Sequence, residues 1–110
     1  MNYHNYKGCI DACLKCIASC YHCASMDLKE KDIAMMSRCV QLDMECATMC
    51  LTVVQLMSLE SESVRNICWL CADVCNKCAE ECEKHTHAHC KECAEACRKC
   101  ANECNNIYEM

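Results

Sequence analysis

Cys68-Trp69-Leu70-Cys71-Ala72-Asp73-Val74-Cys75-Asn76-Lys77-Cys78-Ala79-Glu80-Glu81-Cys82 carries five cysteines at steps of three, four, three and four. Alternation of threes and fours keeps a residue on one face of an α-helix, the seam that a bundle turns inward. An ordinary seam would hold Leu and Ile. This one holds thiols. The same phrase recurs at Cys90, Cys93, Cys97, Cys100 and Cys104, so the two segments read as an internal repeat. Cys9, Cys13, Cys16, Cys20 and Cys23 form a third such line, and Cys39, Cys46 and Cys50 a thinner fourth. These blocks contain all 18 cysteines of the 110 residues, and each implies one helix. Short connections make sequential helices antiparallel neighbours. The expected fold is all-α: one domain over residues 1–110, an up-down four-helix bundle with a Cys-lined core.

The remaining composition agrees. There is one Gly (Gly8), no Pro and no Phe, so few turns and no helix breakers are present. The formal charge of −5 and the lack of a basic stripe speak against a nucleic-acid partner. The N-terminus lacks the basic and apolar regions of a secretory signal, and no apolar run reaches the ~18 residues expected of a membrane span. A soluble, cytoplasmic chain with no membrane partner is therefore expected. In a reducing cytosol thiols stay free, and dense cysteine patterns there point to metal.

Expected boundaries follow from the breaks. Helix 1 should run from Tyr3 to Ser25. Asp27 with Glu30 reads as a capping box that starts helix 2 near Leu28. That helix should end near Ser58, with Ser61 or Ser63 capping helix 3, which runs to Lys84. The stretch from His85 to His89 is the last connection, and helix 4 runs to Ile107. A second apolar line flanks the thiols at Ile10, Leu14, Ile17 and Tyr21, and at Ile33, Val40, Ala47, Leu51 and Val54. It marks a homo-oligomer interface, or else wedges between helices of one subunit. Helix 4 should face water.

Thiol pairs at i, i+4, such as Cys9/Cys13 and Cys71/Cys75, have Cβ atoms about 5–6 Å apart. A disulfide prefers ~3.8 Å, so a bridging metal suits these pairs better. Thiolates select soft ions: Cu(I), Zn(II) or iron–sulfur clusters. One Cu(I) per thiolate leaves a neutral core, whereas four thiolates on one Zn(II) keep two negative charges inside. Zinc also wants four sulfurs converging at each site, fours that a uniform ladder along four helices does not single out, and iron–sulfur sites draw on a few clustered cysteines. Many Cu(I) ions per chain fit best. Asp43 is at a seam position where a thiol is expected. It either accepts a thiol proton and orders a nearby site or is turned to the rim. Val53 and Met57 would plug one end. The opposite mouth gathers Met26, Met35, Met36, His85, His87 and His89, with His22 nearby. Of these, Met36, His85 and His87 are the candidate weak ligands of a copper port, against the alternative of a solvated loop. His4, Tyr6 and Tyr108 belong to the far end, and Met44 and Met49 read as packing residues. No nucleophile–base pair, phosphate loop or HExxH motif is present, so no catalytic role is expected.

Together these features, from Cys9 to Cys104, resemble the bacterial copper storage proteins of the cytosolic type. The resemblance rests on four cysteine-lined segments, repeated Cys-x-x-x-Cys pairs, scarce Gly and Pro, and a His/Met-rich end. It implies a homotetramer of four-helix bundles, each storing Cu(I) on its cysteines, with the His/Met end as the entrance. Cu(I) would arrive from a small thiol or a copper chaperone and pass from ligand to ligand inward, displacing thiol protons. Two rivals stand beside this expectation. One is a zinc or mixed-metal thiolate buffer, and the other a thiol redox protein or disulfide-stapled scaffold.

Overall fold

A computed structural model describes residues 2–110. Four long helices make the bundle: α1 (Lys7–Asp27), α2 (Ser37–Ser58), α3 (Val64–Cys82) and α4 (Ala88–Tyr108). Each spans ~30 Å at 1.5 Å per residue. Two 3-10 turns, Tyr3–Tyr6 and Ile33–Met36, lead into α1 and α2. The first begins with a reciprocal cap: Asn2 Oδ1 accepts from the His4 amide at 3.0 Å, and the Asn2 amide donates to Asn5 Oδ1 at 3.1 Å. α1 packs on α2 and α4, and α3 on the same two helices. This is the antiparallel ring expected from the short loops.

The molecule is slender, with principal-axis extents of 46 × 19 × 17 Å. Alanine explains the narrow waist. Ala12, Ala24, Ala47, Ala72, Ala79, Ala94 and Ala101 are buried beside the thiols. Small side chains at a helix contact shorten the interaxial distance. The close approach compensates for the small volume of cysteine, which would otherwise leave a thinly packed core.

Several expected boundaries are corrected. Asp27 does not cap α2. It is the last residue of α1 and wholly buried, and α2 begins ten residues later at Ser37. Ser63 does occupy the N-cap position of α3, but its side chain makes no capping bond. Its amide instead donates to the hydroxyl oxygen of Ser61 at 3.0 Å. α3 ends at Cys82 rather than Lys84, and α4 already contains His89. Residues Ile33–Ser58 are long and apolar enough to cross a membrane, contrary to the expectation that no stretch would be. In the bundle their inward face carries Cys39, Asp43, Cys46 and Cys50, all buried.

The flanking apolar line is split. Ile10 and Ala47 wedge into the core, whereas Leu14, Tyr21, Ile33 and Leu51 are about half exposed. Trp69 and Leu70 of α3 add to the outer apolar surface. Met44, expected to pack, is exposed; Met49 packs against the core. α4 turns no large apolar side chain to solvent.

Candidate metal centre

The seam positions converge as their spacing requires. All 18 thiols are buried and free, the most accessible being Cys9 at 2%. Each helix contributes about one sulfur per turn, except at Asp43 on α2, and neighbours across the axis meet at near van der Waals distance. Cys46 Sγ is 3.3 Å from Cys75, Cys13 is 3.5 Å from Cys100, and Cys16 is 3.6 Å from Cys46. Along one helix, Cys71 and Cys75 are 3.8 Å apart and Cys93 and Cys97 3.9 Å. These separations are far longer than an S–S bond of ~2.05 Å.

Groups of four sulfurs also converge, contrary to the expectation that a uniform ladder singles out no fours. Cys16, Cys46, Cys50 and Cys75 lie within 4.8 Å of one another, and so do Cys50, Cys71, Cys75 and Cys100. Cys16, Cys20, Cys46 and Cys97 form a third such set, and Cys20, Cys78, Cys93 and Cys97 a fourth. The sets share members. Separate tetrahedral sites of four thiolates each cannot all be filled from shared sulfurs. Bridging thiolates between ions that accept two or three sulfurs use the column without that conflict.

Two ends close the column differently. At the far end Val53 and Met57 are wholly buried, with Tyr6, Val64 and Ile107 around them. This apolar plug offers an ion no thiolate and only the single thioether of Met57. Tyr108 lies outside it, its ring 5.2 Å under the Arg65 guanidinium. His4 is exposed.

At the mouth the side chains are polar. His85 Nε2 is 2.9 Å from Glu81 Oε2, and Arg38 and Lys84 reach the same buried carboxylate at 3.4 and 3.5 Å. His87 is between Glu30 and Asp32, at 3.7 and 3.6 Å, and stacks on His89 with centroids 5.2 Å apart. His89 Nε2 is 2.9 Å from Asp27 Oδ1. Met36 is wholly buried one step outward from Cys39 on the α2 seam, while Met35 is 71% exposed. Both His85 and His87 thus stand at the rim on carboxylates rather than on sulfur. His22 is exposed on α1.

Two buried carboxylates are the unexpected part of the site. Asp43 is turned inward, not to the rim. It accepts from Cys78 at 3.2 Å, Cys93 at 3.4 Å, Cys82 at 3.7 Å and Cys39 at 3.9 Å. Burial, the largest cause, pushes its carboxyl up to about 11. Asp27 accepts from Cys90 at 3.5 Å and Cys23 at 3.8 Å beside its histidine. Burial raises its carboxyl to about 6. Burial likewise pushes the Cys90 thiol up, with the charge of Asp27 adding to it. The sequence reading missed Asp27 because Asp27–Glu30 mimics a helix cap. The register contained the better signal: position 27 follows Cys23 by four, continuing the α1 seam.

The chain matches the family described as copper storage protein over residues 2–109. The Cu(I)-bound copper storage protein of Bacillus subtilis has 42% identity and a TM-score of 0.90, over 94% of this chain and 97% of its own. A cytosolic copper storage protein from Streptomyces lividans, described with five coppers, has 33% identity and a TM-score of 0.94, over 98% of this chain and 95% of its own. An uncharacterized cysteine-rich protein of Bacillus subtilis is 43% identical over 85 residues, 77% of this chain and 79% of its own length.

Proposed function

This chain belongs to the copper storage protein family, and from that premise we propose that it stores many Cu(I) ions inside the bundle and so keeps free copper low. The observation that carries this reading is the column of 18 buried free thiols with overlapping four-sulfur groups. Soft Cu(I) matches soft thiolates, and one ion per thiolate leaves no net charge in the core. Burial opposes the thiolate at every position, so a metal-free column holds its protons. Each ion that binds displaces one to solvent, which couples loading to pH.

The eighteen cysteines are assigned as the storage ligands. Met36, His85 and His87 are assigned to the port at the polar mouth, where thioether and imidazole hold Cu(I) less tightly than thiolate and let it pass. The plugged far end supports a single route. The whole chain acts as one storage domain in the cytosol. A small thiol or a copper chaperone delivers the ion, and the half-exposed Leu14, Tyr21 and Leu51 support assembly into a homotetramer. No catalytic role is assigned.

Protein isolated anaerobically from copper-supplemented cells tests the reading. Many copper ions per chain, little zinc and no disulfide are expected. Zinc retained after copper-free growth and not displaced by Cu(I) would move the protein to the zinc-buffer reading.

A further inference from the structure

We propose that Glu81 is a positioning residue of the copper port: its carboxylate holds the His85 ring with the proton on Nε2, so that Nδ1 is the nitrogen left for Cu(I). The proposal rests on the storage reading above and on the place of His85 in its port.

Glu81 and His85 are four residues apart, a spacing that puts two side chains on one helix face. α3 ends between them, at Cys82, but the His85 amide still donates to Cys82 O at 3.1 Å. That bond carries the helical course one step past the last thiol of α3 and brings the ring back over Glu81. Glu81 is buried, and a buried carboxylate is costly unless it is paired. Its two oxygens divide the work. Oε1 takes the two cations, Arg38 of α2 at 3.4 Å and Lys84 at 3.5 Å. Oε2 takes His85 Nε2 at 2.9 Å, its one polar contact among the described residues. The cations pin and neutralise the carboxylate, and the other oxygen is left to the ring. Asp27 differs, because it divides itself between His89 at 2.9 Å and the thiols of Cys90 and Cys23 at 3.5 and 3.8 Å. Among the described residues Glu81 accepts from no thiol.

A neutral imidazole has one N–H and one bare nitrogen. Which nitrogen is bare is set by the hydrogen bond that the other makes. A carboxylate only accepts, so Glu81 selects the tautomer with the proton on Nε2. Nδ1 then keeps its lone pair. Metal-binding histidines usually hold their second nitrogen on such a partner, which fixes the ring and raises its basicity. Without Glu81 the ring would divide its time between tautomers and rotamers, and only part of the population would offer a bare Nδ1. An ion that lands on Nδ1 displaces no proton. The proton leaves at the next step, when a thiol exchanges its S–H bond for S–Cu and releases H⁺ to solvent. Copper stays Cu(I) throughout.

Anaerobic stopped-flow mixing of one equivalent of chelator-bound Cu(I) with the reduced, metal-free protein tests the assignment. The uptake rate of Glu81→Leu should fall by about 10–100-fold, the range for loss of such a partner. Glu81→Gln, whose amide oxygen still accepts from Nε2, should keep most of the rate. Arg38→Gln/Lys84→Gln, which leaves Oε2 on the ring, should keep it too. In a His85→Ala background Glu81→Leu should slow uptake no further, since partners in one function are not additive. Copper bound at saturation should be the same in all. A second readout needs no copper and no variant: the ¹⁵N shifts of the His85 ring in the metal-free protein should report the proton on Nε2. A proton on Nδ1, or slowing by Glu81→Leu that persists without His85, overturns the positioning role and leaves storage intact. Unchanged uptake in His85→Ala removes His85 from the port and the proposal with it. No uptake of Cu(I) by the folded, reduced protein overturns the storage reading itself.

Discussion

Asp43 is the residue where electrostatics and packing conflict most. Its folded carboxyl is raised from the ordinary 3.8 to about 11, chiefly by burial. A raised acid means that the folded state binds more protons than the unfolded one wherever the pH lies between those values. Stability must therefore fall as pH rises, fully present below the unfolded value and lost progressively above it. The slope is at most about 1.4 kcal/mol per pH unit for one group. Asp27, raised to about 6, acts in the same direction over a shorter window. We expect the melting temperature of the reduced, metal-free protein to decline from pH 5 to pH 8, and the decline to be shallower in Asp43→Asn. A melting temperature that climbs over that range contradicts the assignment of a neutral buried carboxyl. The seam register already singled out Asp43 as the odd position, but not its direction. Which way a lone carboxylate turns depends on Cys78, Cys82 and Cys93, which reach it from two other helices.

Among the elements, the seams were legible and the joints were not. Steps of three and four in each cysteine block set the helices and their inward faces, because periodicity is local. The joint after α1 was misread. Asp27 satisfies a capping pattern and a seam position at once, and tertiary burial beside His89 decides for the seam. The joint after α2 is better defined. Glu60 has φ of +51°. The Ser61 amide donates to Leu56 O at 2.9 Å and the Glu60 amide to Met57 O at 3.0 Å, a Schellman ending with a non-glycine in the left-handed position. Glu60→Gly should relieve about 1 kcal/mol and raise the melting temperature by several degrees. The alanines are the other element-level device. Ala79 is wholly buried between helices. Ala79→Leu should cost about 1–3 kcal/mol by overpacking and, by prising helices apart, reduce the copper bound per chain. Unchanged stability and capacity would show that the narrow waist is not set by these residues.

At the scale of the whole molecule, the bundle is a thin sleeve around sulfur, with a polar mouth at one end and an apolar plug of Val53 and Met57 at the other. Because ions bind the folded column and cross-link its helices, loading should stabilise it, and the melting temperature should rise with each equivalent of Cu(I). The outer apolar residues were only half legible. Sequence placed them on helices 1 and 2, but their exposure depends on how closely the alanine contacts draw the helices together. If Leu14, Tyr21 and Leu51 join copies of the chain, analytical ultracentrifugation should show a tetramer, and Leu14→Glu with Leu51→Glu should give smaller species that still bind copper. The central claim is that the sulfur column is a store. Its most direct test is an anaerobic Cu(I) titration of the reduced protein against a chromophoric competing chelator, with released protons counted in weak buffer. The account predicts uptake on the order of one Cu(I) for each of the 18 cysteines ahead of the chelator, with proton release that tracks it. Saturation at one or two ions, or uptake without protons, would contradict it.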